Sequence, residues 1–501
     1  MFARLLAVPD RLATAYARRP VPWRIAFAVA LLLVLAFTCA RYAEKAVTPS
    51  RDGTLTRTAL LRWRPQIQSL EAGDNIYHKH NYPNPPIMAM ILWPFTELPP
   101  VAGGLLWLLL KAGMAWLMAV WTFRLCGPLS GPAKMLAVIL AAHPVLGDLN
   151  HGNVNIFIAF LVLACLELFR RGWDVAAGLT LGLAIACKVT PALFLSYFGW
   201  KAVRAFFLAS RPCEGSGAVP DPSQGRLAKR SGAFWRAGGK LLLGTGVGLG
   251  LFLFAVPSVV LAARSPGGAT ANLRAGWSEN LTLLESWFDG MVKPFLIDGR
   301  ITSVHANQSI PGVVNRLLTH EPSEVDYDED SGRELPKEYH NLTDIGAVGA
   351  RWVVRGCQAI FVLLMVLLCR TDAGGTRSGL AVAAECGFIV LGMLLFSERT
   401  WKHHGTGLIL PVTAIIGLWC ARATGAATKW FLAAVLYIVM WLTLAPGLFG
   451  GRAQDLALTY GTHTTAFLML TVAVVVVLWQ TRSPDAVASS AVGGTQPTSP
   501  R

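Results

Sequence analysis

Apolar residues in this chain gather into long continuous runs separated by short polar links. Roughly twelve runs stand out when about 20 apolar residues, enough to cross ~30 Å of hydrocarbon, is the ruler. They fall near 23–42, 101–124, 132–147, 153–169, 175–187, 190–208, 237–262, 350–369, 377–396, 405–421, 428–447 and 463–481. Several are short for a span. The pattern predicts an all-α fold, a polytopic membrane helical bundle of about 12 spans. Between the first two runs lies GDNIYHKHNYPNPPIMAMILWPFTELPP, Gly73 to Pro100. This polar, aromatic and proline-rich turn leads straight into apolar sequence, which marks a shaped surface beside the bilayer.

Composition agrees, with 53% hydrophobic and 15% charged residues and a mean hydropathy of +0.48. Residues 1–24 form a basic leader. The run that follows is of full-span length, and no small-x-small site closes it, so a cleaved signal peptide is not expected. The nine cysteines lie in or beside the spans or around Cys213, so no disulfide framework is expected. The net charge of +15 points to cytoplasmic basic loops and not to nucleic acid, because no basic-aromatic binding module accompanies it.

The leader carries Arg4, Arg11, Arg18, Arg19 and Arg24 against Asp10, which places it in the cytoplasm. Counting spans from there puts Arg170–Arg171, residues 201–240 and Arg370 with Arg377 on the same side. The Ser/Thr/Pro-rich tail, 482–501, also falls there and reads as disordered. The arginines of the first outside loop break this charge rule. The opposite face receives residues 43–100, the link 147–153, the Lys188–Pro191 turn, a long loop at 263–347, and Ser397–His404. Five polar segments distant in sequence thus converge on one face of the membrane domain, 25–481.

Several residues there can carry chemistry. The run 55–72, with Arg57, Arg62 and Arg64, reads as an amphipathic interfacial helix. Arginine binds phosphate through two parallel hydrogen bonds, although attraction to anionic lipid accounts for the same charges. HGNVN sets His151, Asn153 and Asn155 at the start of a span, where free amides hold an anion or Asn153 simply caps. Lys188 between two spans needs a partner or must snorkel to the interface. Ser397–His404 adds Glu398, Trp401, His403 and His404. Adjacent histidines diverge and no third ligand is spaced with them, so no metal is expected. Asn307, Gln308, Ser309 and Arg316 suit a hydroxyl-rich ligand, whereas Glu321–Glu338 reads as solvated surface.

Taken together, GDNIY, YPNPP, HGNVN, CKVTP, NQS and SERTWKHH resemble the pattern of family-87 glycosyltransferases over about residues 50 to 420. Gly73, Tyr77, Tyr82, Pro83, Pro86, Gly152, Asn155, Lys188, Pro191, Asn307, Gln308, Ser309, Trp401, His403 and His404 match the family's elements. The resemblance implies a multi-pass protein of the bacterial plasma membrane with a GT-C type fold and extracytoplasmic loops forming the site. It implies hexose transfer, with mannose the expected sugar, from a polyprenyl-phosphate-linked donor to a lipid or glycan acceptor, without cofactor. The chain departs from the pattern where the family has an aspartate in the first outside loop. That region reads Thr58-Ala59-Leu60-Leu61-Arg62, and Asp52 lies out of register.

The expected base is therefore Asp52, failing that Asp148 or His403. Arg62, Lys188 and His404 would meet the donor phosphate, and Tyr77, Tyr82, Asn155, Asn307, Gln308 and Trp401 would hold sugar or acceptor. Membrane lipids are the remaining partners. A transporter or flippase, or a member that has lost its activity, are the competing readings.

Overall fold

The computed structural model describes residues 8–48, 58–80, 82–209, 222–264, 269–327, 334–371 and 377–481. Every one of the twelve apolar runs is helical. Eight helices are long and apolar enough to cross a membrane: Pro20–Val47, Pro100–Cys126, Gly131–His151, Trp235–Ala262, Gly346–Leu368, Lys402–Cys420, Ala426–Phe449 and Thr462–Gln480. The other four are Asn155–Arg170, Asp174–Cys187, Leu193–Ala209 and Leu380–Leu395. At 1.5 Å per residue these reach only about 21–26 Å. Asn155–Arg170 and Leu380–Leu395 are buried along most of their length, and a helix enclosed by protein need not match the hydrocarbon thickness.

Small residues let the short helices pack closely. Gly178 and Gly182 of Asp174–Cys187 face Gly244 and Gly248 of the Trp235–Ala262 span. A Cβ at Gly178 would lie 2.1 Å from the Leu241 carbonyl oxygen, and one at Gly244 2.4 Å from that of Val175. Two small-xxx-small pairs thus bring the backbones into contact, the usual device of helices that gain no hydrophobic drive from lipid.

The expected helix in the first loop forms as Ala59–Glu71, but it is a core element and not a surface one. Leu60, Trp63, Ile67 and Leu70 are buried against helix Pro86–Glu97. Thr58 starts it by accepting from the Leu61 N–H (3.4 Å), and Gly73 at φ +92° ends it. Pro86 then opens the next helix at a position that needs no amide donor.

Within 263–347, helix Ala269–Trp287 folds back on Val256–Ala262 and a short helix spans Ile310–Leu318. The acidic stretch is more ordered than its charge suggested. Glu324–Tyr327 pairs antiparallel with Glu334–Glu338, the one sheet among the described residues. The cysteines among these residues are unpaired. The tail at 482–501 lies outside them.

Charge is pinned at the end of the bundle away from HGNVN. Glu385, fully buried, accepts from Lys201 (3.0 Å), Tyr197 (2.9 Å) and the Thr371 amide (2.7 Å). Glu167 pairs with Arg170 (2.6 Å) and Arg171 (2.8 Å). These networks lock the short helices at one end and leave the other to the polar links.

Candidate functional site

The site is built around the break between helices Gly131–His151 and Asn155–Arg170. Gly152 in the left-handed region (φ +70°) ends the first helix, so the second starts three residues later. Asp148 then caps the second helix from the last turn of the first. Its carboxylate accepts from the N–H groups of Asn155 (3.3 Å) and Ile156 (3.4 Å) and from Asn155 Nδ2 (3.0 Å). The two readings of this helix start were a bound anion and a cap by Asn153; the chain supplies an anion of its own, Asp148.

Lys111, from the middle of the Pro100–Cys126 span, closes the network. Its ammonium donates to the Asp148 carboxylate (3.0 Å), the Asp148 carbonyl (2.9 Å) and the Asn153 carbonyl (2.8 Å). Both side chains of this ion pair are inaccessible to solvent. Asn155 passes the connection on, since its Oδ1 accepts from Lys188 Nζ at 2.8 Å. Thr406 donates to the Asn155 carbonyl (3.1 Å) and ties in the segment after Trp401.

His403 is held from both sides. The Asn153 amide nitrogen lies 3.1 Å from its Nε2. An amide NH₂ only donates, so Nε2 accepts and the ring proton sits on Nδ1. His151 and Trp401 flank the ring at 4.7 and 5.6 Å. His404 Nδ1 donates to the Arg399 carbonyl (3.1 Å), which leaves Nε2 for a ligand.

Beside this network runs a groove. Asn155, Lys188, Ser397 and His404 form its polar end. Ile158, Ala159, Val162 and Leu163 continue along one helix wall, with Val390, Met393 and Leu394 opposite. From residue 155 to 163 the wall is about 12 Å long. An ammonium at the head of an apolar trough suits an amphiphile with an anionic head. Burial lowers the Lys188 ammonium from its ordinary range to about 8, while Asp148 and Glu398 oppose the shift. Burial raises the Glu398 carboxyl, with Arg399 and Lys188 opposing.

The structure brings together Asp148, Asn155, Lys188, Trp401, His403 and His404. Asp52 lies outside the described residues. Arg62 is exposed on its helix and acts on His151 through its charge, without lining the groove. Tyr77 and Tyr82 pack into the core beside Trp63. The Tyr77 hydroxyl donates to the Asn84 carbonyl (2.8 Å), so these rings shape the turn and touch no groove. Asn307 donates to the carbonyls of Thr302 (3.0 Å) and Glu398 (2.9 Å) and accepts from the Thr400 N–H (3.0 Å). Gln308 donates to the carbonyls of His305 and Leu458, both at 2.7 Å. Expected to read a ligand, both amides are committed to backbone instead. Asp148 is likewise too enclosed to take a proton from an acceptor, and His403 has no free basic nitrogen. Sequence reading missed Lys111, although a lysine inside an apolar span is the same signal that singled out Lys188.

Residues 82–210 match the model of Glycosyltransferase family 87. Over this quarter of the chain the sequence is similar to family-87 glycosyltransferases. Two mycobacterial relatives carry the description polyprenol-phosphate-mannose-dependent alpha-(1-2)-phosphatidylinositol mannoside mannosyltransferase. That of Mycolicibacterium smegmatis is 36% identical over 84 residues, 17% of each chain. That of Mycobacterium tuberculosis is 32% identical over 130 residues, 23% of this chain and 30% of the relative. The chain thus spans less than a third of either relative's length. No solved structure matches it. The family-87 segment holds Asp148, Asn155 and Lys188, while the groove's other wall and its histidine, His404, come from residues outside it.

Proposed function

We propose that this protein transfers a hexose, mannose by analogy with its relatives, from a polyprenyl-phosphate carrier to a hydroxyl of a lipid or glycan acceptor on the extracytoplasmic face. One observation carries this reading: the groove joins a half-buried ammonium, Lys188, to a continuous apolar wall. The isoprenoid lies along Ile158, Val162 and Leu394, and its phosphate meets Lys188 at the polar end.

In the reaction the acceptor oxygen bonds to the sugar's anomeric carbon as that carbon's bond to the phosphate oxygen breaks. The electron pair leaves with the phosphate, and Lys188 stabilises the charge that builds there. A base takes the hydroxyl proton. Among the described residues Glu398 fits best. It is 37% exposed, follows groove-lining Ser397, and is made more basic by burial. Asn155 and Asp148 position Lys188, and the Asn307 bracket positions Glu398 through its carbonyl.

Membranes containing the protein, incubated with radiolabelled polyprenyl-phosphate mannose, should yield a new labelled glycolipid, and Lys188→Met should abolish it. Unmodified donor moved across proteoliposomes with no covalent product would instead establish a flippase.

A further inference from the structure

A second cavity opens on the other side of the Asn307 bracket, between the hairpin, the loop before Asn307 and helix Gly451–Thr459. Its polar groups are two cations, two imidazoles and three carboxylates set close together. Lys337 lies 2.8 Å from Glu324, Arg452 3.5 Å from Glu338, His305 3.4 Å from Asp455, and His340 3.6 Å from Glu338. Such a wall sets three carboxylates and two neutral imidazoles against two fixed cations, so it does not match a phosphate. The separations at Arg452, His305 and His340 are at or beyond hydrogen-bond length, so Glu338 and Asp455 keep lone pairs for a guest. Beside them Tyr460 is half exposed, its ring edge-on to His340 at 6.3 Å.

Donors and acceptors in alternation, with an exposed aromatic ring nearby, suit a neutral sugar ring. Each hydroxyl both gives and accepts a hydrogen bond, and the ring's C–H face lies on an aromatic surface. The cavity is also rigidly tied to the groove. Gln308 holds the His305 and Leu458 carbonyls, Arg316 holds that of Thr459 (2.7 Å), and Asn307 holds the Glu398 loop.

We propose that this cavity binds a neutral pyranose glycan, and, resting on the transfer reading above, that this glycan is the head group of the acceptor. Donor and acceptor would then occupy two pockets joined by one bracket. The test uses the full-length protein in detergent with mannobiose as probe, followed by saturation-transfer NMR. Asp455→Asn and His305→Ala should each weaken binding at least tenfold, and Lys188→Met should change it less than twofold. Glu338→Gln, on a different element, should reproduce the loss, and unchanged melting curves show that the variants fold. Binding unaltered by all three cavity variants overturns the proposal. So does binding abolished by Lys188→Met, which would place the sugar in the groove, or binding that requires added calcium. The two readings fail separately. If no sugar is transferred yet mannobiose binding still depends on Asp455, the glycan site stands without the enzyme. If transfer proceeds and Asp455→Asn leaves the acceptor KM unchanged, only the second cavity's role is lost.

Discussion

Raising the pH through about 8 isolates the contribution of Lys188. Burial holds its ammonium at about that value, so the side chain is charged below it and neutral above. The charged fraction is then about nine tenths at pH 7 and about one tenth at pH 9. A donor phosphate that depends on this charge should lose about tenfold in kcat/KM over that interval, since kcat/KM reports ionisations of the free enzyme. Initial rates at low donor concentration, measured from pH 6 to 10 in detergent, give the profile. Lys188→Arg keeps its charge past pH 12, so its alkaline limb should leave the measured range. Lys188→Met should be flat and low throughout. An alkaline limb that stays in place in Lys188→Arg would refute the assignment, because another group would then be titrating.

Lys111→Met should destabilise the protein by about 3–5 kcal/mol, the penalty for leaving a buried partner charge unpaired. Adding Asp148→Asn should recover much of the loss, and thermal unfolding in detergent reads both. Glu398→Gln should lower kcat by about 10²–10⁴-fold with donor KM almost unchanged, as expected of a base that does not bind the donor. A rise in KM alone would assign Glu398 to binding. Ala159→Phe should obstruct the apolar wall and raise donor KM without lowering kcat to the same degree, since the wall lies away from the reacting atoms.

The helical segments were legible because hydropathy is a property of the chain itself, and all twelve runs fold as helices. What it could not give was the medium around each one. Helix Ala59–Glu71 has the apolar face its periodicity required, but that face meets Pro86–Glu97 where lipid was expected. Asn155–Arg170 and Leu380–Leu395 are enclosed by neighbours, a tertiary fact that hydropathy does not carry. Lys188 and His404, singled out by the expense of charge and the density of titratable groups, line one groove. Asn307 and Gln308 were misjudged because an amide looks alike in sequence whether it faces a cavity or a carbonyl. Lys111 was available by the rule already applied to Lys188.

The internal pairing of Lys111 with Asp148 decides what the groove can recognise. With Asp148 filling the helix start, the backbone amides there cannot hold a ligand phosphate, and Lys111 is neutralised where it stands. Of these two lysines, Lys188 is the one that lines the groove, one positive charge at the head of an apolar wall. A sugar linked through a phosphodiester brings one negative charge, and rupture of the bond to the anomeric carbon develops a second on the departing phosphate. A partly desolvated ammonium gains more from the second charge than it would in water. On the proposed transfer, the groove holds the donor modestly and its breaking bond more firmly, which is the difference that lowers a barrier. Were Lys111 left uncompensated beside it, the extra positive charge would tighten ground-state binding as well, and much of that difference would disappear.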